Sequence, residues 1–247
     1  MGRRVKMKVL LVQLPHYVRL RFTYCDGKAR EPAFFPIGLG TIAKALLKCQ
    51  HRVEVFDIWA HQYTNDEVLA KAKELEYDVV GISALSTQYG YVKWLVAQLR
   101  KLAKIKKIVV GGPLATHTPE LVLSHTETDI CVLGEGEITM REVVENIDNL
   151  KKVKGIYYKL NDEIIKNPPR EPIKDLDKID FPAWDLFPIE IYLKNSYLFT
   201  SPILNKDRSF RVMHVVTSRG CPYKCRFCSK TFKGNVKEGL MSPISIY

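Results

Sequence analysis

The first 150 residues alternate between short apolar runs and segments with helical periodicity. Central runs such as 79–82 and 108–110 are continuously apolar, which is typical of strands that are buried on both faces of a sheet. The predicted strands cover residues 5–12, 52–57, 78–83, 107–111 and 129–133, and the predicted helices cover 37–49, 65–75, 89–102, 119–124 and 137–147. This alternation predicts an α/β domain with an open, Rossmann- or flavodoxin-like parallel sheet and helices on both faces.

Small and polar residues follow three of the predicted strands. They are Ser83, Ser86 and Thr87 after the third strand, Gly112 and Pro113 after the fourth, and Gly134, Glu135, Gly136 and Glu137 after the fifth. Glycine lets a ligand approach the backbone closely, and ligands of such sheets bind beyond the carboxyl ends of the strands. Each loop alone also fits an ordinary turn, but the three together predict a binding rim.

A glycine motif in the first predicted helix carries a second hypothesis. The run Gly38-Leu39-Gly40-Thr41-Ile42-Ala43 fits the pattern G-x-G-x-x-G/A of dinucleotide sites, and Asp57 ends a later strand. That fingerprint has to follow the first strand directly, whereas 24 residues separate Gln13 from Gly38. We therefore interpret the glycines as helix-packing positions and keep a nicotinamide-dependent protein as an alternative.

The chain changes character after residue 150. Two short apolar runs, 155–160 and 163–167, flank Asn161-Asp162 and predict a β-hairpin. Prolines then cluster at positions 168, 169, 172, 182 and 188, which is typical of an extended linker. The predicted organisation is an α/β domain over residues 1–150, a hairpin and Pro-rich linker over 151–205, and a further domain that begins within 206–247.

The composition is that of a globular, intracellular protein. The chain has 247 residues, 46% of them hydrophobic, and no apolar stretch approaches the roughly 18 residues of a membrane span. The apolar run after the basic start is too short for a secretory signal. Cys25, Cys49 and Cys131 are scattered singly, as in reduced compartments. We expect a cytoplasmic protein without a membrane partner.

Positive charge is concentrated in the C-terminal part of the chain. The net charge is +11, and residues 201–247 hold nine Lys and Arg against only Asp207 and Glu238. Such an excess attracts an anionic cofactor, an acidic substrate or nucleic acid, or it forms a solvated surface. No aromatic-basic recognition motif accompanies it, so we expect no nucleic-acid partner.

Three cysteines in this basic region form the most specific motif of the chain. Cys221, Cys225 and Cys228 stand at C-x3-C-x2-C spacing, with Phe227 just before the last one. Three thiolates cannot all pair as disulfides, but they can ligate three irons of a 4Fe-4S cluster. No cysteine or histidine follows Cys228 to complete a four-ligand zinc site. We predict a cluster with one iron free of protein ligands, and keep a zinc- or iron-binding protein with a basic tail as an alternative.

This spacing resembles the signature C-x3-C-x-aromatic-C of the radical S-adenosylmethionine (SAM) enzymes. In that family the motif follows the first strand of a (β/α) barrel, and residues 210–216 fit such a strand. The resemblance implies that the open iron chelates SAM and that Phe227 shields the cluster. It also implies that an external one-electron reductant drives cleavage of SAM to methionine and a 5′-deoxyadenosyl radical.

The first 150 residues resemble the cobalamin-binding domain that precedes many radical SAM barrels. The similarity lies in Phe35-Pro36-Ile37-Gly38-Leu39, Val80-Gly81-Ile82-Ser83, Val109-Val110-Gly111-Gly112-Pro113 and Leu133-Gly134-Glu135-Gly136-Glu137. It implies that the rim loops hold the nucleotide part of cobalamin, with Ser83, Ser86 and Thr87 at its tail and Gly112, Pro113, Gly134 and Glu135 at its ribose-phosphate. The cobalt-ligating motif D-x-H-x-x-G of mutase-type domains is absent, so we expect His16 not to ligate cobalt.

The combined prediction is a cobalamin-dependent radical SAM enzyme of methyltransferase or cyclase type. It would act on a small molecule or a cofactor precursor. Only 19 residues follow Cys228, whereas a full barrel takes ~200 residues or more. We therefore expect a fragment, or a second chain that completes the barrel. A non-catalytic cobalamin-binding module is the alternative from a different functional class, and the sequence identifies no general acid or base.

Overall fold

The computed structural model of the chain describes residues 6–15, 22–23, 29–30, 34–195, 213–216 and 218–220. The strands are β1 (Lys8–Gln13), β2 (Phe22–Thr23), β3 (Ala29–Arg30), β4 (Arg52–Asp57), β5 (Glu76–Ser83), β6 (Lys104–Gly111), β7 (Ile130–Val132), β8 (Ile156–Leu160) and β9 (Glu163–Lys166). The helices are α1 (Ile37–Lys48), α2 (Ile58–His61), α3 (Asn65–Ala72), α4 (Tyr89–Leu102), α5 (Gly112–His117), α6 (Pro119–His125), α7 (Gly136–Glu145) and α8 (Ile189–Asn195). Each helix within these ranges is too short or too polar to span a lipid bilayer.

Seven strands form one open sheet in the order β4-β1-β5-β6-β7-β8-β9. The five strands from β4 to β7 pair in parallel, and β8 and β9 add an antiparallel hairpin at one edge. A separate pair, β2 and β3, is antiparallel. The predicted open parallel sheet is therefore confirmed, and the hairpin extends it on one side.

Helices cover both faces of the sheet, as predicted. Successive residues of β1 point to opposite faces, so Leu10 and Val12 belong to one apolar cluster while Val9 and Leu11 belong to the other. All four side chains are at most 2% exposed. Helices α1 and α7 pack on the Leu11 face, and α3, α4, α5 and α6 pack on the opposite face. This two-sided burial explains why the sequences of the central strands are continuously apolar.

The bounds of several elements differ from the prediction for identifiable reasons. Strands β5 and β6 begin earlier than predicted, because their amino ends carry exposed charged residues that interrupt the apolar pattern. Helix α5 was not predicted, since its first residues Gly112 and Pro113 resemble a turn. Proline is tolerated in the first turn of a helix, where its missing N–H has no intrahelical partner.

The hairpin and the segment after it pack against the sheet and its helices. Asn161 and Asp162 both have left-handed backbone angles, with φ of 49° and 65°, which suits a two-residue hairpin turn. The predicted hairpin is thus confirmed, although the sequence did not indicate that β8 pairs with β7. Further along, the Ala183 N–H donates to the carbonyl of Gly40 at 3.0 Å. The Trp184 ring lies 4.4 Å from that of Phe35, centroid to centroid, so the Pro-rich segment lies against α1.

Candidate functional site

A cavity of about 400 Å³ lies at the carboxyl ends of the parallel strands. Strand β1 has β4 on one side and β5 on the other, so the order of the chain reverses at β1. Leu11, Gly81, Ser83, Val109 and Gly111 line the cavity from alternate positions of β1, β5 and β6, and therefore from one face of the sheet. The cavity thus occupies the switch point at which open α/β sheets bind ligands.

Further walls come from the first two turns of helices α1 and α7 and from a segment near the C-terminus. Helix α1 contributes Ile37, Gly38, Leu39 and Ile42, helix α7 contributes Gly136, Glu137 and Met140, and the later segment contributes Val216, Ser218, Arg219 and Gly220. Most of this surface is apolar or glycine. Such a lining suits a flat, largely apolar group with a few polar anchors.

Glycines keep the cavity open and shape its floor. Gly112 has φ +80°, and a Cβ atom at this position would lie 2.8 Å from the carbonyl oxygen of Ala84, so a side chain is excluded. Gly134 also has a left-handed φ of +71°, but a Cβ there would meet no atom within 4 Å. A Cβ atom at Gly38 would likewise meet no atom within 4 Å. The backbone of Gly38 and Gly134 is therefore accessible to a ligand in the cavity.

The predicted rim residues divide into two groups. Those that line the cavity are Ser83, Gly112, Gly134, Glu135, Gly136 and Glu137. Those that do not are Ser86, Thr87 and Pro113. Ser86 and Thr87 are exposed in a single 3-10 turn. The three cysteines Cys221, Cys225 and Cys228, together with Phe227 and His16, lie outside the described residues.

The glycine motif of α1 contributes more than helix packing. The packing interpretation is right for Gly40, because a Cβ atom there would lie 2.7 Å from the Cβ of Pro182. It is wrong for Gly38, which lines the cavity and faces open space. The motif was recognisable in the sequence, but its place away from the first strand favoured a packing role over the nicotinamide alternative.

Asp57, the acidic residue of the nicotinamide alternative, is not part of the cavity lining. Its carboxylate is buried at the carboxyl end of β4, where it accepts hydrogen bonds from the Ala60 N–H and the Tyr192 hydroxyl. Burial raises the pKa of this carboxyl above its ordinary value. Both oxygens are thus engaged within the fold, and the dinucleotide hypothesis receives no support from this residue.

Sequence reasoning missed four residues of the cavity wall, namely Val216, Ser218, Arg219 and Gly220. The four described residues of the predicted strand 210–216 form no strand, because no strand of the described chain pairs with them. They lie instead beside α1, where the His214 ring packs edge-on against Phe34 with centroids 5.2 Å apart. No periodicity in this stretch could have revealed that contact.

Arg219 connects this segment to the loop before α7. Its guanidinium contacts the Glu135 carboxylate at 3.0 Å and the Glu137 carboxylate at 2.6 Å. All three side chains are largely buried, at 16%, 7% and 8% exposure respectively. Burial alone would lower the pKa of the Arg219 guanidinium, but the hydrogen bonds and charges of Glu137 and Glu135 raise it above its ordinary value. The result is a fixed positive charge between two fixed negative charges at the cavity wall.

Comparison with known proteins identifies the domain around this cavity. Residues 28–144 match the family model of the B12 binding domain. An uncharacterized methyltransferase of Pyrococcus horikoshii is 32% identical in an alignment of 222 positions that covers 85% of this chain and 45% of that protein. The anaerobic magnesium-protoporphyrin IX monomethyl ester cyclase of Synechocystis is 26% identical in an alignment of 230 positions that covers 91% of this chain and 42% of that enzyme. The chain thus spans less than half the length of these curated relatives.

A solved structure shares the fold over nearly the whole chain. The cobalamin-dependent SAM radical enzyme OxsB, solved with aqua-cobalamin and SAM bound, superposes with a TM-score of 0.70. The match covers 97% of this chain and 30% of that enzyme, at 20% sequence identity. At that identity the match establishes the shared fold.

Proposed function

Because this chain belongs to the radical SAM proteins that carry a cobalamin-binding domain, we propose that it binds cobalamin at the carboxyl edge of its sheet and SAM at a cluster held by Cys221, Cys225 and Cys228. One observation carries this proposal. Arg219 and Gly220, which directly precede Cys221, line the same cavity as the glycine loops of the B12 binding domain. This adjacency supports two cofactor sites that share one wall.

The cavity fits part of a cobalamin molecule. Its volume of about 400 Å³ lies at the lower end of small-molecule sites, which span roughly 300–1,000 Å³. That space is adequate for the flat base and ribose of a nucleotide tail. The larger corrin ring would then require space outside the cavity.

The chain offers suitable groups for such a tail. The apolar side chains of Leu11, Val109 and Met140 would contact the faces of the base. The Ser83 hydroxyl and the open backbone at Gly38 and Gly134 would serve its polar edge and the ribose-phosphate. None of these contacts requires a histidine ligand to cobalt.

The reaction we propose is radical chemistry on an unactivated carbon. When bound, a cluster held by Cys221, Cys225 and Cys228 would supply one-electron reductive cleavage of SAM, and cobalamin would supply a methyl group or assist another C–H functionalisation. An external reductant provides the electron. The names of the relatives include both a methyltransferase and a cyclase, so the proposed reaction class is broad. We propose a small molecule or a cofactor precursor as substrate, and further polypeptide sequence to complete the barrel.

Metal content and SAM cleavage test this proposal together. The chain would be reconstituted without oxygen using iron, sulfide and hydroxocobalamin, then desalted. We expect about four irons and one cobalt per chain, as a single cubane cluster and one cobalamin require. Adding SAM and dithionite should then release 5′-deoxyadenosine. A Cys225→Ala variant is the matched control, because it should lose iron and SAM cleavage while it retains cobalt.

The outcomes separate the two halves of the proposal. Iron without cobalt would leave the radical SAM motif intact and would assign the cavity to another ligand. Cobalt without iron would favour a non-catalytic cobalamin-binding module. Stoichiometric zinc in place of iron would contradict the cluster proposal.

A further inference from the structure

Arg219, Glu135 and Glu137 form a group that we call the charged clamp. Each carboxylate of the clamp has a second partner from a different part of the chain. The Thr41 hydroxyl of α1 donates to Glu137 at 2.8 Å, and the Ile173 N–H of the Pro-rich segment donates to Glu135 at 2.5 Å. The clamp therefore joins α1, the loop before α7, the Pro-rich segment and residues 218–220 at one point.

The clamp is also part of the cavity wall. All three of its residues line the cavity, together with Gly134, Gly136 and Gly220 from the same two stretches of chain. A ligand that fills the cavity must therefore lie against the clamp. Because its members carry one positive and two negative charges at low exposure, their mutual placement is sensitive to what occupies the adjoining space.

Stabilisation of the fold is a poor explanation for a buried group of this kind. Removing ions from water costs free energy that their mutual attraction often fails to recover, so apolar residues would serve stability as well. What an arginine adds is geometry, because its planar fork donates to two carboxylates at once. A lysine at this position would keep the charge but could not span both carboxylates in the same way.

We propose that Arg219 is a positioning residue whose ion pairs with Glu135 and Glu137 couple occupation of the cavity by cobalamin to the placement of the chain that enters the cysteine motif. This inference rests on the proposed function of the cavity. Coupling of this type is reciprocal, so a ligand that stabilises the clamp is itself bound more tightly when the clamp is intact. The clamp would thereby hold residues 218–220 in place when the cavity is occupied.

Trypsin cleavage of the Arg219–Gly220 bond measures the clamp directly. Trypsin must take the Arg219 side chain into its own specificity pocket, which is impossible while Glu135 and Glu137 hold it. The rate of cleavage would be followed by mass spectrometry on the full chain, with and without hydroxocobalamin. Cleavage after Lys178, which is 80% exposed, serves as the internal reference. Cobalamin binding would be confirmed separately by the absorption spectrum of the desalted protein.

We expect hydroxocobalamin to slow cleavage at Arg219 by about tenfold, within the range typical of coupled sites, without an effect at Lys178. The double variant Glu135→Gln/Glu137→Gln should be cleaved faster at Arg219 and should lose the response to hydroxocobalamin. Glu163→Gln, an exposed glutamate of the hairpin, is the matched control and should behave as the unmodified chain. If circular dichroism reveals that the double variant is unfolded, Arg219→Lys replaces it, because trypsin also cleaves after lysine.

Two results would overturn the inference, and only one of them would also overturn the proposed cobalamin site. If hydroxocobalamin binds but leaves the cleavage rate at Arg219 unchanged, the clamp is merely structural and the proposed cobalamin site stands. If hydroxocobalamin does not bind, the proposed function of the cavity fails and the coupling fails with it. A merely structural clamp would protect Arg219 equally in both conditions, so the cobalamin-dependent change distinguishes the two roles.

Discussion

The two ends of the same parallel strands form two different surfaces. At the amino ends, a hollow of about 600 Å³ is lined by Lys8, Glu76, Asp78, Lys104, Lys106 and their neighbours. At the carboxyl ends, the smaller cavity of about 400 Å³ is lined mainly by glycines and apolar side chains. Size therefore does not identify the functional end of the sheet, whereas the lining does.

The charged residues at the two ends of the sheet also differ in their exposure to solvent. At the amino end, Asp78 contacts the Lys106 ammonium at 2.6 Å, and that lysine is 73% exposed. At the carboxyl end, the acidic groups Asp57, Glu135 and Glu137 are buried and held by fixed partners. Solvated pairs of the first kind contribute little to stability. Burying charged groups of the second kind costs desolvation free energy, and buried charged groups with perturbed pKa values cluster at functional sites.

Among the residues at the two ends of the sheet, Gly112 should show the largest loss of stability on substitution. Gly112→Ala places a Cβ atom 2.8 Å from the Ala84 carbonyl oxygen and forces a left-handed backbone angle on alanine. We expect the free energy of unfolding to fall by roughly 2–4 kcal/mol, from backbone strain and overpacking together. Gly134→Ala is the control, because it has a left-handed angle but no nearby atom, and should lose only about 1–2 kcal/mol. Urea unfolding measures both, and equal losses would contradict the proposed steric role of Gly112.

Gly38 offers a change that alters binding but not stability. Gly38→Leu fills part of the cavity, while Gly90→Leu places the same side chain at the same second position of another helix, away from the cavity. Neither glycine has an atom within 4 Å of a Cβ position. We expect the dissociation constant for hydroxocobalamin to rise at least about tenfold in Gly38→Leu, or 1.4 kcal/mol, and to stay constant in Gly90→Leu.

A spectrophotometric titration checks that pair of variants. Similar affinities for the two would place the ligand elsewhere. A loss of NAD(H) binding in Gly38→Leu, rather than of cobalamin binding, would revive the nicotinamide hypothesis for the same glycine.

Most of the α/β architecture could be predicted from the sequence, because strands that are buried on both faces consist of continuous apolar residues. Strand β4 and helix α4 have the predicted bounds, since the apolar residues of each extend to within one residue of its ends. The pairing of β8 with β7 could not be predicted. A hairpin specifies its own register through its turn, as Asn161 and Asp162 do here, but not the strand it joins.

The cavity could be predicted only in part. The loops after β5, β6 and β7 converge because parallel strands end at one edge, so Ser83, Gly112 and Gly134 were identifiable from position alone. The roles of Gly38 and Arg219 depend on how α1 and residues 218–220 pack back over that edge. Such long-range contacts leave no periodic signal in one sequence.

Asp57 and Asp78 sharpen the comparison through pH, because their pKa values move in opposite directions. Burial raises the pKa of the Asp57 carboxyl, so the folded protein binds this proton more tightly than the unfolded chain does. The contribution of Asp57 to stability is therefore fully present below the ordinary pKa of 3.8 and is lost as the pH rises through the raised value. The difference in free energy of unfolding between the unmodified chain and Asp57→Asn should therefore increase as the pH falls from neutral toward 3.8. Urea unfolding at several pH values measures this slope, and a slope of opposite sign would contradict the assigned burial effect.

Asp78 should give the smallest effect and the opposite slope. Burial alone would raise the pKa of its carboxyl, but the hydrogen bonds from Lys106 and the Lys8 N–H, together with their charges, hold that pKa below its ordinary value of 3.8. Its contribution to stability is thus present above that value and is lost as the pH falls through the lowered one. Asp78→Asn should lower the free energy of unfolding by at most about 1 kcal/mol at pH 7, as for other partly exposed ion pairs. The loss should diminish at pH 3 and in high salt, whereas a salt-independent loss would mean that this end of the sheet is held by packing rather than by charge.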